Sequence, residues 1–381
     1  MKENKHYFRY TITKEEAGQP VRTILYGGMA LSTRKIRALK KIPDGILLDG
    51  RPVTVREIVT EGQRLQVQMD DGAADGMASR KIVAALHAAE ETASQGHCSR
   101  EREPLRILYE DADLLFVNKP SGVVCHPSKG HSGDSLYDQI CVYYGRTGQT
   151  AGVHLFGRLD KDTSGIVGIA KNKMTADRMH RQRTAGTFYK EYLALVQGMP
   201  PEPSGIVSVP MEEDRSAGYL KMRAGIGPAA KPAVTHYAVI PDQNQPVPCD
   251  ESSPLTEKSP WTLCRVSIET GRTHQIRFHM AAIGCPLAGD TLYGQCGNLP
   301  CNSGRLPPEG ILPGAGRCAA KYTNQPSGES GDPWIRRAAL HASRVHFIHP
   351  FTGKEIDLHA PLPEDMRRMI EGGISEEAYR C

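Results

Sequence analysis

The stretch that decides the fold is HLFGRLDKDTSGIVGIAKN, residues 154–172. Two mainly apolar runs, residues 153–156 and 166–170, flank a polar centre. This pattern predicts a strand, a loop and a second strand, and Gly165 allows the second strand to begin close to the loop. The middle of the chain is therefore predicted to present a charged loop from a sheet.

Within this loop, Asp160 lies two residues after Arg158. A carboxylate beside a guanidinium can be held ionised and can act as a nucleophile. The alternative interpretation is a charged turn that is merely solvated, since most charged turns carry out no chemistry.

The amino-acid sequence of the loop also matches a known signature. Residues 157–165, followed by 170–172, resemble the signature of the RluA-type pseudouridine synthases. Four further segments match that family in its order along the chain: 118–122 with 126–127, 189–198, 270–279 with 289–294, and 339–342 with 349–350. Any one of these matches would be weak, whereas five in order are specific. One position departs from the pattern: the family usually has His directly before the Arg, and this chain has Gly157, which bears on how the loop backbone is held.

The resemblance assigns roles to four side chains. It implies that Asp160 is the catalytic nucleophile and that Arg277 pairs with it and keeps it ionised. It implies that Tyr192 is the active-site tyrosine that stacks on the base, and that Arg158 contacts the flipped-out nucleotide. Without the motif, a lone strand tyrosine is more often a core residue and a lone helical arginine is more often a surface residue.

The reaction that the resemblance implies converts uridine to pseudouridine. The N1–C1′ glycosidic bond breaks, the base turns, and C1′ is joined to C5. Nothing is oxidised, so no metal or cofactor is expected. An ionised carboxylate can attack C1′ or C6, or stabilise positive character at the sugar, and the sequence leaves these routes open.

Composition fits this interpretation without deciding it. The chain has 381 residues, a net charge of +4 and ten cysteines at irregular spacing. Metal ligation is one interpretation of three of them, Cys296, Cys301 and Cys318, but free thiols are the better interpretation because no Cys-x-x-Cys pair is present. No apolar leader or membrane-length run occurs. These features predict a reduced, cytoplasmic, monomeric protein without a membrane partner.

Residues 1–69 are predicted to form a small α+β domain of net charge +6. Ser32 is a candidate N-cap for a helix whose Ile36 and Leu39 turn inward. The same helix is predicted to present three basic side chains on one face: Arg34, Arg37 and Lys41. A hairpin at Asp49–Gly50 and a strand at 65–69 follow.

This arrangement resembles the S-four-like RNA-binding domain, which often precedes the catalytic domain of this family. The basic helix face would then contact phosphates, which position RNA without reading its sequence. The alternative is a solvated basic helix with no partner. Residues 70–103, with their Asp/Gly and Ala-rich composition, are predicted to be a linker that lets the small domain reach a separate part of the RNA.

Residues 104–381 are predicted to form the catalytic domain, with 295–332 as a surface insertion rich in Gly, Pro and Cys. Short strands dominate, and helices occur without a βαβ rhythm. They are predicted at 135–144 and 173–185, the second bearing Arg178, Arg181 and Arg183. The predicted fold class is α+β with a mixed or antiparallel central sheet, the pseudouridine synthase fold.

Three functions are compared. The first is an RNA pseudouridine synthase acting on structured RNA, with ribosomal RNA placed before transfer RNA as its target. The second is a non-enzymatic RNA-binding or ribosome-assembly protein, favoured only by Gly157. The third is a hydrolase that uses Asp160, which would need a second carboxylate that the motifs do not supply. The first function accounts for all five matching segments.

Overall fold

A computed structural model describes residues 6–69, 80, 82–87, 104–128, 133–225, 227–241, 261–294 and 335–371. The predicted insertion at 295–332, with its three cysteines, lies outside the described residues.

The N-terminal residues form a small antiparallel sheet with two helices. Its strands β1 (Tyr7–Thr11), β2 (Ile46–Leu48), β3 (Arg51–Pro52) and β4 (Arg64–Gln68) pair in the order β1-β4-β2-β3. The helices are α1 (Val21–Tyr26) and α2 (Thr33–Leu39). This sheet is the small α+β unit that the sequence predicts, and the Asp49–Gly50 turn joins β2 to β3.

Helix α2 begins as predicted. The Ser32 hydroxyl accepts a hydrogen bond from the backbone N–H of Lys35 at 3.2 Å, so it caps the helix. Ile36 and Leu39 are buried in the small domain's core. The three predicted basic side chains are exposed: Arg34, Arg37 and Lys41. The predicted division into an apolar and a basic face is confirmed for Arg34 and Arg37, whereas the helix ends at Leu39 and Lys41 lies beyond it.

The remaining strands belong mainly to one ten-stranded sheet. They are β5 (Arg106–Glu110), β6 (Leu114–Lys119), β7 (His154–Phe156), β8 (Ser164–Ala170), β9 (Tyr189–Gln197), β10 (Ser204–Ser208), β13 (Val234–Val239), β14 (Trp261–Ile268), β15 (Leu340–Ile348) and β16 (Glu355–His359). A separate hairpin consists of β11 (Met211–Glu213) and β12 (Met222–Ala224). The helices are α3 (Leu136–Arg146), α4 (Lys173–Thr184), α5 (Gln275–Ala282) and α6 (Glu364–Glu371).

The strand order is β10-β13-β14-β9-β15-β8-β6-β5, with β16 on β15 and β7 on β8. The β15–β8 pair is parallel and the other pairs are antiparallel, so the sheet is mixed. The predicted fold class is thereby confirmed.

Gly165 explains how β8 and β15 come together. It has φ +112°, and a Cβ added there would lie 2.3 Å from the Ala342 carbonyl oxygen. A side chain is therefore excluded at this position, and the loop that precedes β8 is held against the centre of the sheet.

Part of the predicted linker is helical. Residues 80 and 82–87 form a helical stretch, and Ile82 is buried in the hydrophobic core of the ten-stranded sheet with Tyr144 of α3. This stretch is therefore not a free tether, because the apolar side chain of Ile82 packs into the core. The domain boundaries on either side stay a prediction.

The small domain also directly contacts the part of the chain that forms the ten-stranded sheet. Arg178 of α4 donates hydrogen bonds to the carbonyl oxygens of Met29 at 2.7 Å and Pro350 at 2.5 Å. Its guanidinium lies 4.5 Å from the ring centroid of Phe8 and 4.8 Å from that of Phe351. One arginine thus joins elements of both domains, which does not fit the predicted freely moving small domain.

Candidate active site

The loop between β7 and β8 is held through its backbone carbonyl groups. The ammonium of Lys119, which is fully buried, donates to the carbonyl of Lys161 at 3.0 Å. Ser121 and Arg337 donate to the carbonyl of Asp162 at 2.9 and 3.2 Å. The loop is therefore fixed on the C-terminal side of Asp160 by side chains from other parts of the chain.

Lys119 is a cation without a carboxylate partner among the described residues. Its other two hydrogen bonds go to the carbonyl oxygens of Pro120 at 2.9 Å and Val123 at 2.8 Å, so all three of its N–H groups have acceptors. Burial lowers the pKa of Lys119 to about 8.

A cavity of about 400 Å³ opens beside this loop. Four predicted side chains line it together: Arg158, Asp160, Tyr192 and Arg277. Further cationic side chains lie in the same wall: Lys161, Arg183, Lys190 and Arg272. Asp160 and Glu269 are the acidic side chains in the lining. The cavity therefore joins one nucleophile candidate to a strongly positive surface, which attracts polyanions.

The Asp160 side chain is partly exposed to the cavity. Among the described residues, its carboxylate takes part in no hydrogen bond or ion pair. Its backbone carbonyl accepts a hydrogen bond from the N–H of Thr163 at 3.2 Å, which closes the turn. The carboxylate therefore faces the cavity, and its oxygen atoms accept no hydrogen bond from the described residues.

Arg277 has a different partner from the predicted one. Its Nε and Nη2 both donate to the Asp290 carboxylate at 2.8 Å, in a buried bidentate pair. Among the described residues, Asp290 is therefore the hydrogen-bonded partner of Arg277, while the charge of Asp160 also helps to raise the pKa of Arg277, so a pairing with Asp160 stays a prediction. Nη1 of Arg277 remains without a hydrogen bond among the described residues, and the side chain still lines the cavity that contains Asp160.

The pairing with Asp290 has a physical reason. A buried guanidinium loses its contact with water, so its charge needs a carboxylate partner within the protein. Burial would lower the pKa of Arg277, but the hydrogen bonds and charge of Asp290 outweigh it and raise this pKa. Burial would likewise raise the pKa of Asp290, but Arg277 holds it below its usual value. Asp290 also accepts hydrogen bonds from the backbone N–H groups of Leu292 and Tyr293.

Helix α5 begins at a tight turn, which positions Arg277 two residues into the helix. His274, the residue before the helix, has φ +54°, in the left-handed region that side chains seldom adopt. The buried Gln275 accepts hydrogen bonds from the Thr270 hydroxyl and the Arg272 N–H, at 2.7 and 3.0 Å. It also donates to the carbonyl of Val234 at 2.9 Å. The turn is thus fixed on strand β13.

Tyr192 lies on β9 and is nearly fully buried. Burial, followed by the charge of Asp160, raises the pKa of Tyr192 well above its usual range. Its hydroxyl therefore keeps its proton at neutral pH.

Arg158 is exposed and lies between two cavities. The second cavity, of about 310 Å³, is also lined by Gly157 and Arg183. A guanidinium at this boundary can reach a phosphate or an unstacked base on either side. The three basic residues predicted on α2 do not line either cavity.

Three further histidines of the matching segments have structural contacts. His279 bonds to Thr235 and Val209, and His341 lies 2.9 Å from the Ser164 hydroxyl. His349 lies 2.9 Å from Asp111. Among the described residues, Asp111, Asp113 and His349 are the group close enough to share a metal ion. Asp111 already accepts hydrogen bonds from Tyr109 and two backbone N–H groups, so this group has a structural explanation.

Two contributors were missed by the sequence reasoning. Asp290 lies in the matching segment 289–294 and Lys190 in the matching segment 189–198, but neither is among the predicted site residues. The signal for Lys190 was its spacing, because residues two apart on a strand share a face and Lys190 is two residues before Tyr192. The pairing of Asp290 carried no such signal.

Comparison with known proteins supports one family. Residues 113–282 match the family model described as RNA pseudouridylate synthase. A Bacillus subtilis (strain 168) protein named "Uncharacterized RNA pseudouridine synthase YjbO" is 31% identical over 91% of this chain and 96% of its own length. The "Ribosomal large subunit pseudouridine synthase D" of Escherichia coli (strain K12) is 32% identical over 70% of each chain.

One solved structure, titled "Human RNA Pseudouridylate Synthase Domain Containing 4", is 19% identical and has a TM-score of 0.46. It covers 77% of this chain and 96% of its own. Among the described residues, no helix combines the length and apolar character needed to cross a membrane. The sequence relationships and the family match together show that this chain belongs to the RluA family of RNA pseudouridine synthases.

Proposed function

We propose that this chain isomerises specific uridines of ribosomal RNA, with Asp160 as the nucleophile. The observation that carries the proposal is the uncommitted Asp160 carboxylate in a cavity whose other charged side chains are mainly cationic. Such a cavity attracts the phosphates of RNA and leaves one anion free for covalent chemistry. The rRNA target is supported by the name of the Escherichia coli relative. We also propose that the chain acts as a monomer in the cytoplasm.

In the proposed reaction, the base is turned out of its stack and enters the cavity. Asp160 attacks C1′ or C6, and the N1–C1′ bond breaks. The C5–C1′ bond then forms, the bond between Asp160 and the nucleotide breaks, and the carboxylate is regenerated. C5 then loses its proton and N1 gains one, so the product is an isomer of the substrate. Because atoms and electrons balance within the nucleotide, the reaction needs no oxidant, reductant or cofactor.

We assign the other lining residues by their chemistry. Nη1 of Arg277 is a free donor of a guanidinium fixed by Asp290, so it can stabilise negative charge on Asp160 or on the base. The protonated hydroxyl of Tyr192 can donate to the base, and its ring offers a stacking surface. Arg158 would occupy the vacated stack or hold a neighbouring phosphate.

The hydrolase alternative would need a second carboxylate as acid and base. Glu269 lines the cavity, but its side chain is 61% exposed and hydrogen bonds to His236 at 2.7 Å. This exposed carboxylate already hydrogen bonds to His236, so it is not positioned as a second catalytic carboxylate in the cavity. Glu269 is therefore a poor candidate for that role, and we favour isomerisation.

We further propose that residues 1–69 bind RNA through α2. Its exposed face carries Arg34 and Arg37, and Lys41 follows just beyond its C-terminal end, so all three can contact phosphates of a second RNA segment. The small domain contacts the catalytic domain through Arg178, so this second segment would lie at a set distance from the cavity.

The deciding experiment is the Asp160→Asn variant. It keeps the size of the side chain and removes the nucleophilic charge, so we expect a loss of about three or more orders of magnitude in turnover. RNA affinity should stay within about threefold, because the cationic lining is unchanged. Turnover is measured as tritium release from C5-labelled uridine in ribosomal RNA.

Asp162→Asn is the matched control, since this carboxylate is two residues away and does not line the cavity. It should retain activity. Turnover of Asp160→Asn within tenfold of the unmodified enzyme would contradict the assignment. Mapping pseudouridines in ribosomal and transfer RNA from cells with and without the gene separates the two target classes.

A further inference from the structure

Lys190 joins two parts of the active site. It lies on β9, and its ammonium donates a hydrogen bond to the carbonyl oxygen of Gly157 at 2.8 Å. The same ammonium lies 5.4 Å from the ring centroid of Tyr192. Among the described residues, no carboxylate pairs with Lys190, since Glu191 points to the other face and pairs with Arg265 at 3.3 Å. The contacts of this ammonium are therefore a backbone carbonyl oxygen and an aromatic ring.

Its acceptor is the first residue of the loop that carries Asp160. Gly157 follows β7 directly and has φ +63°, a conformation that a side chain would strain. On the other side of Asp160, Lys119 holds the carbonyl of Lys161. Asp160 therefore lies between two backbone carbonyls, each bonded to a lysine ammonium from a different strand.

We propose that Lys190 is a positioning residue that ties the loop of Asp160 to the strand of Tyr192 and so sets the separation of the two groups during isomerisation. The inference rests on the proposed role of Asp160. A backbone displacement of about 1 Å in a catalytic group can cost about a hundredfold in rate. A charge-assisted hydrogen bond to the loop is a direct way to prevent that displacement.

The charged state of Lys190 follows from its surroundings. Burial, together with the nearby cations Arg183 and Lys119, lowers the pKa of Lys190 to about 7, although Cys125 opposes the shift. Two further titratable side chains lie near Lys190: Tyr192, whose ring the ammonium faces, and His341, whose own pKa Lys190 helps to lower. As pH rises through this value the ammonium loses its charge, and the bond to Gly157 becomes a weaker neutral one.

The test compares Lys190→Met, which keeps the length of the side chain, with Lys190→Arg, which keeps the charge. We expect Lys190→Met to lower kcat by about tenfold to a hundredfold with KM within about threefold, because the loop is misplaced while the RNA contacts remain. Lys190→Arg should restore kcat to within about tenfold, since its charge-assisted donor remains. In the unmodified enzyme kcat should fall as pH rises past about 7. The limb near pH 7 should be absent in Lys190→Arg, because a guanidinium stays charged, so that any remaining fall begins near pH 8, where Lys119 loses its charge.

Asp160→Asn is measured in the same tritium-release assay. If that variant is active, the proposed function itself fails. If it is inactive while a folded Lys190→Met shows an unchanged kcat, the positioning role is wrong. An alkaline limb that persists unchanged in Lys190→Arg also overturns the inference. Thermal melting establishes folding, and if Lys190→Met does not fold, the pH profile of Lys190→Arg decides alone.

Discussion

The buried pair of Arg277 and Asp290 allows a quantitative prediction. The pair is bidentate, and the side chains are only 7% and 0% exposed. Asp290→Asn keeps the Oδ1 acceptor for the backbone, but it turns an amide donor toward Nε of Arg277 and leaves that charge unpaired. Breaking a buried pair on one side costs about 3–5 kcal/mol, and because Asn retains part of the hydrogen bonding we expect a loss of about 3 kcal/mol in the free energy of unfolding.

The matched control is Asp357→Asn on the protein surface. Asp357 also forms a bidentate pair, with Arg344, but both side chains are 37% exposed. Solvent screens such a pair, so its loss should cost under about 1 kcal/mol. The control separates the effect of burial from that of the arginine–aspartate geometry.

The assay is urea denaturation followed by circular dichroism, with turnover measured on the same preparations. Asp290→Asn should also lower kcat, because an unpaired Arg277 no longer holds its orientation toward the cavity. If Asp290→Asn destabilises the protein no more than Asp357→Asn does, the buried pair contributes nothing beyond an exposed one, and the reasoning is refuted.

Two further predictions concern other parts of the molecule. Replacing Arg34, Arg37 and Lys41 together with Ala should reduce the log–log salt dependence of binding to a large ribosomal RNA fragment by about two to three units, because three phosphate contacts are lost. An unchanged slope in fluorescence anisotropy would mean that this helix face is only solvated. Burial lowers the pKa of His341 from 6.5 to about 4. Between these pH values the unfolded chain binds more protons, so stability should fall as pH drops, by about 1.4 kcal/mol per pH unit for this one group. His341→Gln should flatten the pH dependence of the urea midpoint, and an unchanged dependence would contradict this explanation.

Much of the fold was predictable because it depends on local patterns. The apolar runs of β7 and β8 and the cap at Ser32 were found from spacing and residue type alone. Strand β1 and helix α1 were missed, since each is short and lacks a clear period.

The site was predictable as a set of residues but not as a set of bonds. The motifs identified Asp160, Tyr192 and Arg277 as site residues, and all three line the same cavity. The partner of Arg277 depends on how the chain returns to α5 at Asp290, which is a tertiary contact that local patterns do not encode. The same holds for Arg178, which looked like one more charge on a basic helix and proved to be a contact between domains.

The contact made by Arg178 has a consequence for the cost of binding a large substrate. Because one guanidinium bonds to carbonyl groups on both domains and packs against two aromatic rings, the relative placement of the domains is largely settled before any RNA arrives. An RNA that touches both domains must then adapt its own shape to theirs. The loss of conformational entropy falls on the nucleic acid, and segments already folded to the required spacing bind at the lowest cost.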